Sequence, residues 1–128
     1  KRVQVIHTGD TRTSGKGVII DNLPLADFED EWIQVETEMH YTHHGTFRIK
    51  LTRISDGKVL ADQSFADIDL WRKGATSIRN KFGIYRSLGR KMQSASDRPD
   101  NGLKDESLQL ADFKVYEAHT NPNPQPHD

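Results

Sequence analysis

The segment Asn80-Lys81-Phe82-Gly83-Ile84-Tyr85-Arg86-Ser87 concentrates the residue types that could do chemistry in this chain of 128 residues. Read as a strand, it puts Lys81, Gly83, Tyr85 and Ser87 on one face and Phe82 and Ile84 on the other. One face is then core, and the other is functional or merely wet. A glycine between a lysine and a tyrosine leaves a flat place where a sugar ring could approach the backbone. An ordinary amphipathic strand has the same pattern, so the pattern alone does not choose.

Two further groups carry polar chemistry. His40-Tyr41-Thr42-His43-His44 invites a metal reading, because imidazole is a common nitrogen ligand. Consecutive His43 and His44 seldom point the same way, however, and a polar turn is the reading adopted, with no metal site. His40 shares a face with Glu36 and Glu38 and could line a sugar groove. The acids Asp27, Glu29, Asp30 and Glu31, and the smaller pair Asp67 and Asp69, offer oxygen ligands for a structural calcium ion without a recognisable loop signature. Glu36 and Glu38 have the spacing of a carboxylate pair on one strand, but lack the pattern of a retaining glycosidase; a solvated or cross-strand paired face accounts for them.

The elements that must position these residues are strands. Val3 to His7 alternates and runs into a polar loop, Thr8 to Gly17. Val18 to Ile20 is a short strand that Asp21-Asn22-Leu23-Pro24 is expected to break. Trp32 to Tyr41 alternates for its whole length, with Ile33, Val35, Thr37, Met39 and Tyr41 on one face and Trp32, Gln34, Glu36, Glu38 and His40 on the other. Thr42 to Gly45 turns the chain, and Thr46 to Ile54 returns with Phe47, Ile49 and Leu51 inward and Arg48, Lys50 and Thr52 outward. Acids on the first strand and bases on the second could pair across the wet face.

Ser55-Asp56-Gly57 supplies a second turn before a strand over Lys58 to Phe65, and Ala66 to Gly74 is an irregular connection carrying Trp71. Ile78 to Ser87 is read as the next strand, Leu88 to Gly102 as a long surface loop, and Ser107 to Glu117 as a closing strand whose hydrophobic phase slips near Ala111-Asp112, as at a bulge. Asn121 to Asp128 reads as a disordered tail. No helical stripe exceeds a turn or two, so the class is all-β.

Composition sets outer limits. Apolar residues are 34% and charged residues 29% of the chain, enough for a thin sandwich core. Net charge is -1 with both signs interspersed, which excludes a broad nucleic-acid face. No apolar run is long enough to span a membrane. There is no cysteine, so disulfides and thiolate metal sites are excluded and the redox compartment stays open. Lys1 to Ile6 already reads as mid-strand, and two-sheet sandwiches that wrap a saccharide usually run about 200 to 250 residues. An upstream segment is therefore expected, removed or supplied by a second chain or copy.

Lys81-Phe82-Gly83-Ile84-Tyr85 resembles the Lys-x-Gly-x-Tyr strand of jelly-roll polysaccharide lyases, the alginate lyase type with its glucuronan and heparin lyase relatives. The surrounding order is similar as well: Trp32 opening a strand, a glycine-containing hairpin, Asp56-Gly57-Lys58, then Lys81 to Tyr85, then Leu110-Ala111-Asp112-Phe113. The resemblance covers Val3 to Glu117. It implies a concanavalin-A-like β-jelly-roll sandwich over residues 1–118, short of its N-terminal strands, with residues 119–128 as tail.

Those enzymes cleave 4-linked uronates by β-elimination, which needs a base for the C5 proton, an acid for the departing O4 and a cation on the carboxylate. The resemblance implies that Tyr85 is the acid, alone or as acid and base both. Lys81 would lie on the same face and hold charge near the phenol or the substrate, lowering the phenol from its usual pKa of about 10. Gln4-Val5-Ile6-His7 is similar to the family's Gln-Ile-His strand, with one extra residue that sends Gln4 and His7 to opposite faces unless a bulge intervenes. His7 as neutral base is chemically sound, with an ordinary pKa of about 6.5; a hydrogen-bonding residue at a strand end is the alternative. The family's arginine strand has no counterpart after Lys1, so Arg79 and Arg86, with Gln4 and His40, are the expected substrate contacts.

The expectation is therefore a lyase-like protein acting on an acidic polysaccharide, secreted or periplasmic, needing no cofactor. The alternative is a non-catalytic carbohydrate-binding module on the same scaffold, with Trp32, Trp71 or Tyr41 stacking on sugar rings.

Overall fold

The computed structural model describes residues 1–9, 17–84 and 107–117. The chain divides into two compact units, Lys1–Ile78 and Arg79–Asp128. Among the described residues, every strand lies in the first unit: β1 (Arg2–His7), β2 (Gly17–Pro24), β3 (Ile33–His40), β4 (Gly45–Arg53) and β5 (Val59–Ile68), with one 3-10 turn at Leu25–Asp27. β1 and β2 form a two-stranded antiparallel sheet; β3, β4 and β5 form a three-stranded one in that order. The class is all-β, with two antiparallel sheets.

The core lies between the sheets. Ile20 and Leu23 of β2 cluster with Ile49 and Leu51 of β4 and Ala61 of β5, and Val3, Val5, Phe28, Ile33, Phe47 and Phe65 pack around them. Removing each of the large aliphatic side chains from water contributes about 1.5–3 kcal/mol. Phe47 and Phe65, paired in register across β4 and β5, stack with ring centroids 6.2 Å apart. Arg53 adds a polar clasp at the far end of β4, with Nε and Nη2 on the Asp56 carboxylate and Nη1 at 3.7 Å from Asp27.

Hairpin chemistry follows the sequence closely. β3 and β4 pair without interruption from Ile33↔Arg53 to His40↔Thr46, as the alternation of both strands demands. The connection closes on Gly45, which is buried. A β-carbon there would run into the His40 carbonyl oxygen and approach those of Ile68 and Thr42 at 3.1 and 3.2 Å. Only glycine fits.

Several boundaries differ from the sequence expectation. Asp21-Asn22 does not break β2. The register passes from Val3↔Leu23 to Val5↔Ile20 and on to Ile6↔Val18, so β2 absorbs an extra residue at each irregularity and continues to Pro24 as a bulged strand. β5 likewise runs past Phe65 to Ile68. It carries two extra residues, Leu60 between Leu51↔Ala61 and Thr52↔Val59, and Asp67 between Gly45↔Ile68 and Thr46↔Ala66, with φ +53° at Asp67. Aspartate tolerates that left-handed conformation better than most residues.

The expected strand Ile78 to Ser87 is not formed over its described part, 78–84, and Ser107 to Glu117 is not a strand either. Alternation supplies an apolar face but not a partner, and among the described residues neither segment has a ladder neighbour. Gly83 sits at φ +147°, a conformation side chains rarely adopt and an extended strand does not use. Asp112, where the hydrophobic phase slips, is at φ +58°; the slip is a left-handed residue in irregular chain, not a bulge in a ladder. Residues 119–128 lie outside the described residues.

Candidate functional site

Three polar constellations are positioned by this fold, and the first is centred on Asp69. β1 alternates Val3, Val5 and His7 inward with Arg2, Gln4 and Ile6 outward. The irregularities of the β1–β2 ladder fall in β2, so they do not bring Gln4 and His7 to one face. Gln4 is exposed, and its Nε2 donates to Asp21 Oδ1 at 2.6 Å, beside Arg2, whose guanidinium also meets Asp21 at 3.3 Å. His7 is 7% exposed, and its Nε2 lies 2.6 Å from the backbone oxygen of Asp69. A carbonyl only accepts, so Nε2 carries a proton and donates it to Asp69. His7 thus ties β1 to the segment after β5, which is the strand-end hydrogen-bonding role.

The Asp69 carboxylate has its own work. Its Oδ1 accepts from the Trp71 backbone N–H at 3.2 Å and lies 3.1 Å from His43 Nδ1, while His44 Nδ1 lies 2.6 Å from Asp67 Oδ1. The two histidines of the β3–β4 turn are therefore each matched to one aspartate at the end of β5. Sequence reasoning singled out both groups but did not join them. The missing signal is the register Gly45↔Ile68, which sets the turn against the end of β5. Among the described residues, no three histidine and acidic side chains converge as metal ligands would.

The second constellation is the outer face of the three-stranded sheet. Glu36 stands opposite Lys50 and Glu38 opposite Arg48 on β4; beyond them Lys50 faces Asp62 and Arg48 faces Ser64 on β5. The expected acid-to-base facing of β3 and β4 is present. Arg48, however, closes its hydrogen bonds on Asp62, with Nε and Nη2 each 3.2 Å from a carboxylate oxygen. That bond raises the Arg48 guanidinium and lowers the Asp62 carboxyl from their ordinary values. Glu36, Glu38, Arg48 and Lys50 line a shallow depression of about 160 Å³. His40 is exposed on the same face, at the end of β3. A row of mixed charge on an open sheet can hydrogen-bond hydroxyls and carboxylates of an extended ligand.

The third constellation is in the second unit. Arg79 and Lys81 are exposed, and around the position of a Gly83 β-carbon there is open space. Phe82 and Phe113 meet with ring centroids 4.4 Å apart. Tyr85 and Arg86 lie outside the described residues. Of the aromatic candidates for stacking, Trp32 is half exposed while Tyr41 and Trp71 are half-buried.

The fold and sites define an all-β protein of two antiparallel sheets carrying an open charged sheet face. Comparison with models of protein families, with curated proteins and with solved structures finds no match to this chain. Among the described residues no helix is long and apolar enough to cross a membrane.

Proposed function

We propose that this chain handles an acidic, uronate-containing polysaccharide, and that it is part of a jelly-roll sandwich of the polysaccharide lyase type. The observation that carries the reading is local: exposed Lys81 stands two residues from Gly83, whose backbone is open to approach, inside the Lys-x-Gly-x-Tyr sequence that resembles those lyases. A cation next to bare backbone is what a uronate ring requires, because neutralising the C6 carboxylate acidifies the C5 proton.

In the catalytic form of this reading, Lys81 holds the carboxylate, with Arg79 and Arg86 as further cations. The Tyr85 oxygen, as phenolate, takes the C5 proton and, as phenol, delivers it to the departing O4, while the C5–H electron pair closes the C4–C5 double bond as the C4–O4 bond breaks. Such a polymer lies outside the cytoplasm, so a secreted or periplasmic protein is the natural setting.

One observation favours the second reading, a non-catalytic carbohydrate-binding module. His7, the expected neutral base, is buried and engaged with the Asp69 carbonyl. Binding then falls to the open sheet face with Glu36, Glu38, His40, Arg48 and Lys50, and to the half-exposed Trp32.

Incubation with alginate, polyglucuronate and heparin separates the two, because β-elimination creates a conjugated unsaturated uronate that absorbs in the ultraviolet. A rise with one polymer, lost in Tyr85→Phe while binding persists, establishes the lyase and its substrate. A flat trace from folded protein that still binds one polymer establishes the module, and neither turnover nor binding sinks both.

A further inference from the structure

β3 is an edge strand whose two faces are unequally served. Among the described residues it pairs only with β4, along all eight positions. Alternate N–H and C=O groups of such a strand point away from the neighbour and form a template for another strand. Several usual protections are absent from β3 itself. Ile33–His40 has no proline and no register irregularity, and its inward row is Ile33, Val35, Thr37 and Met39, with no inward charge. Past Ile33, which packs against the core, that row is uncovered: Val35 is 60% and Met39 38% exposed.

The outward row gives the occupant a charge. Neither Glu36 nor Glu38 makes an ion pair or side-chain hydrogen bond with another described residue, and Arg48, which stands opposite Glu38, is committed to Asp62. Their oxygens are available to bases arriving on the free side of β3. A second copy of the chain does not answer this. Antiparallel self-pairing that keeps Val35 and Met39 among apolar partners sets Glu36 against Glu36, or Glu36 against Glu38 twice, and like charges directly opposite are destabilising. What answers it is a strand of alternating apolar and basic residues. β4 is the internal example: Phe47-Arg48-Ile49-Lys50-Leu51 is the pattern β3 already accepts on its other side.

We infer that the free edge of β3 docks an extended segment of another polypeptide with alternating apolar and basic residues, by strand addition. The probes are two labelled synthetic heptapeptides, alternating lysine with valine and glutamate with valine, titrated by fluorescence anisotropy. The lysine peptide should bind at least about tenfold tighter, as expected for two opposite-charge cross-strand pairs. Binding should slow amide hydrogen exchange within residues 33–40. The double variant Glu36→Lys, Glu38→Lys, with unchanged circular dichroism, should reverse the preference. Equal binding of both peptides, binding without protection of β3, or the same preference in the double variant overturns the proposal. So does a dimer in sedimentation that Val35→Lys dissociates, since the edge would then belong to a second copy.

Discussion

β3 and β4 carry the same alternation, pair residue by residue, and end in opposite conditions. Ile49 and Leu51 of β4 are 6% and 5% exposed, while Val35, paired to Leu51, is 60% exposed. The difference is not in the strands but in what lies over them. β4 is the central strand and faces Ile20 and Leu23 of β2, whereas β3 sits at the edge, where only Ile33 packs against that core. Periodicity decides which face a residue takes; only a second layer decides whether that face is dry.

The sharpest test of this contrast is Leu51→Ala. Removing a buried aliphatic side chain from the inter-sheet core should cost about 2–5 kcal/mol, read as a lower urea midpoint with an unchanged slope. A loss comparable to that of its β3 partner would break the comparison, because it would mean that the β2 layer does not protect β4.

Gly45→Ala tests the hairpin that joins the strands. A β-carbon facing the His40, Thr42 and Ile68 carbonyl oxygens must push backbone aside, and overpacking of this kind costs about 1–3 kcal/mol. Thermal unfolding should record the loss, accompanied by faster amide exchange at residues 40–46. Unchanged exchange there would place the strain elsewhere.

His7→Ala addresses the tie between the sheets. Its removal deletes a part-buried hydrogen bond to the Asp69 carbonyl, at a cost of about 0.5–1.5 kcal/mol. If His7 is structural, the variant loses stability in a denaturant titration. An unchanged midpoint with lost turnover would restore it as a catalytic base.

A smaller, pH-dependent effect belongs to the far end of β4. The Arg53 guanidinium, with the Lys58 backbone N–H, pulls the Asp56 carboxyl from its ordinary 3.8 down to about 2. A depressed carboxyl stabilises fully above its unfolded value and loses that contribution as pH falls through its folded one. The stability difference between the wild type and Asp56→Asn should therefore be flat near neutrality and shrink between pH 3.8 and about 2. A difference that grows on acidification would reverse the sign of the argument.

The smallest effect is expected at Val35→Ala. An exposed edge position should change stability by less than about 0.5 kcal/mol, seen as superimposable unfolding curves. A large loss would show that β3 is covered after all.

The β3–β4 hairpin was legible in the sequence because its information is local: strict alternation, a turn, and acids set against bases. The outer charged face, including His40, followed from the same alternation. Asp21-Asn22 misled because bulges let a strand absorb turn-forming residues when a core on both sides rewards continuation through Leu23. Ile78 to Ser87 misled for the opposite reason, since its alternation found no ladder neighbour among the described residues. The matching of His43 and His44 to Asp69 and Asp67 was invisible because it depends on where β5 stops relative to Gly45.

By itself the sequence determined the all-β class, the faces of β3 and β4, and the requirement for a turn between them, since each rests on neighbours a few residues apart. Tertiary structure alone decided that His7 is buried against Asp69, that Arg48 bonds Asp62 instead of Glu38, and that Val35 stays wet while Leu51 is dry. Each of those depends on which strand lies alongside or above, a relation between distant segments that no local spacing encodes.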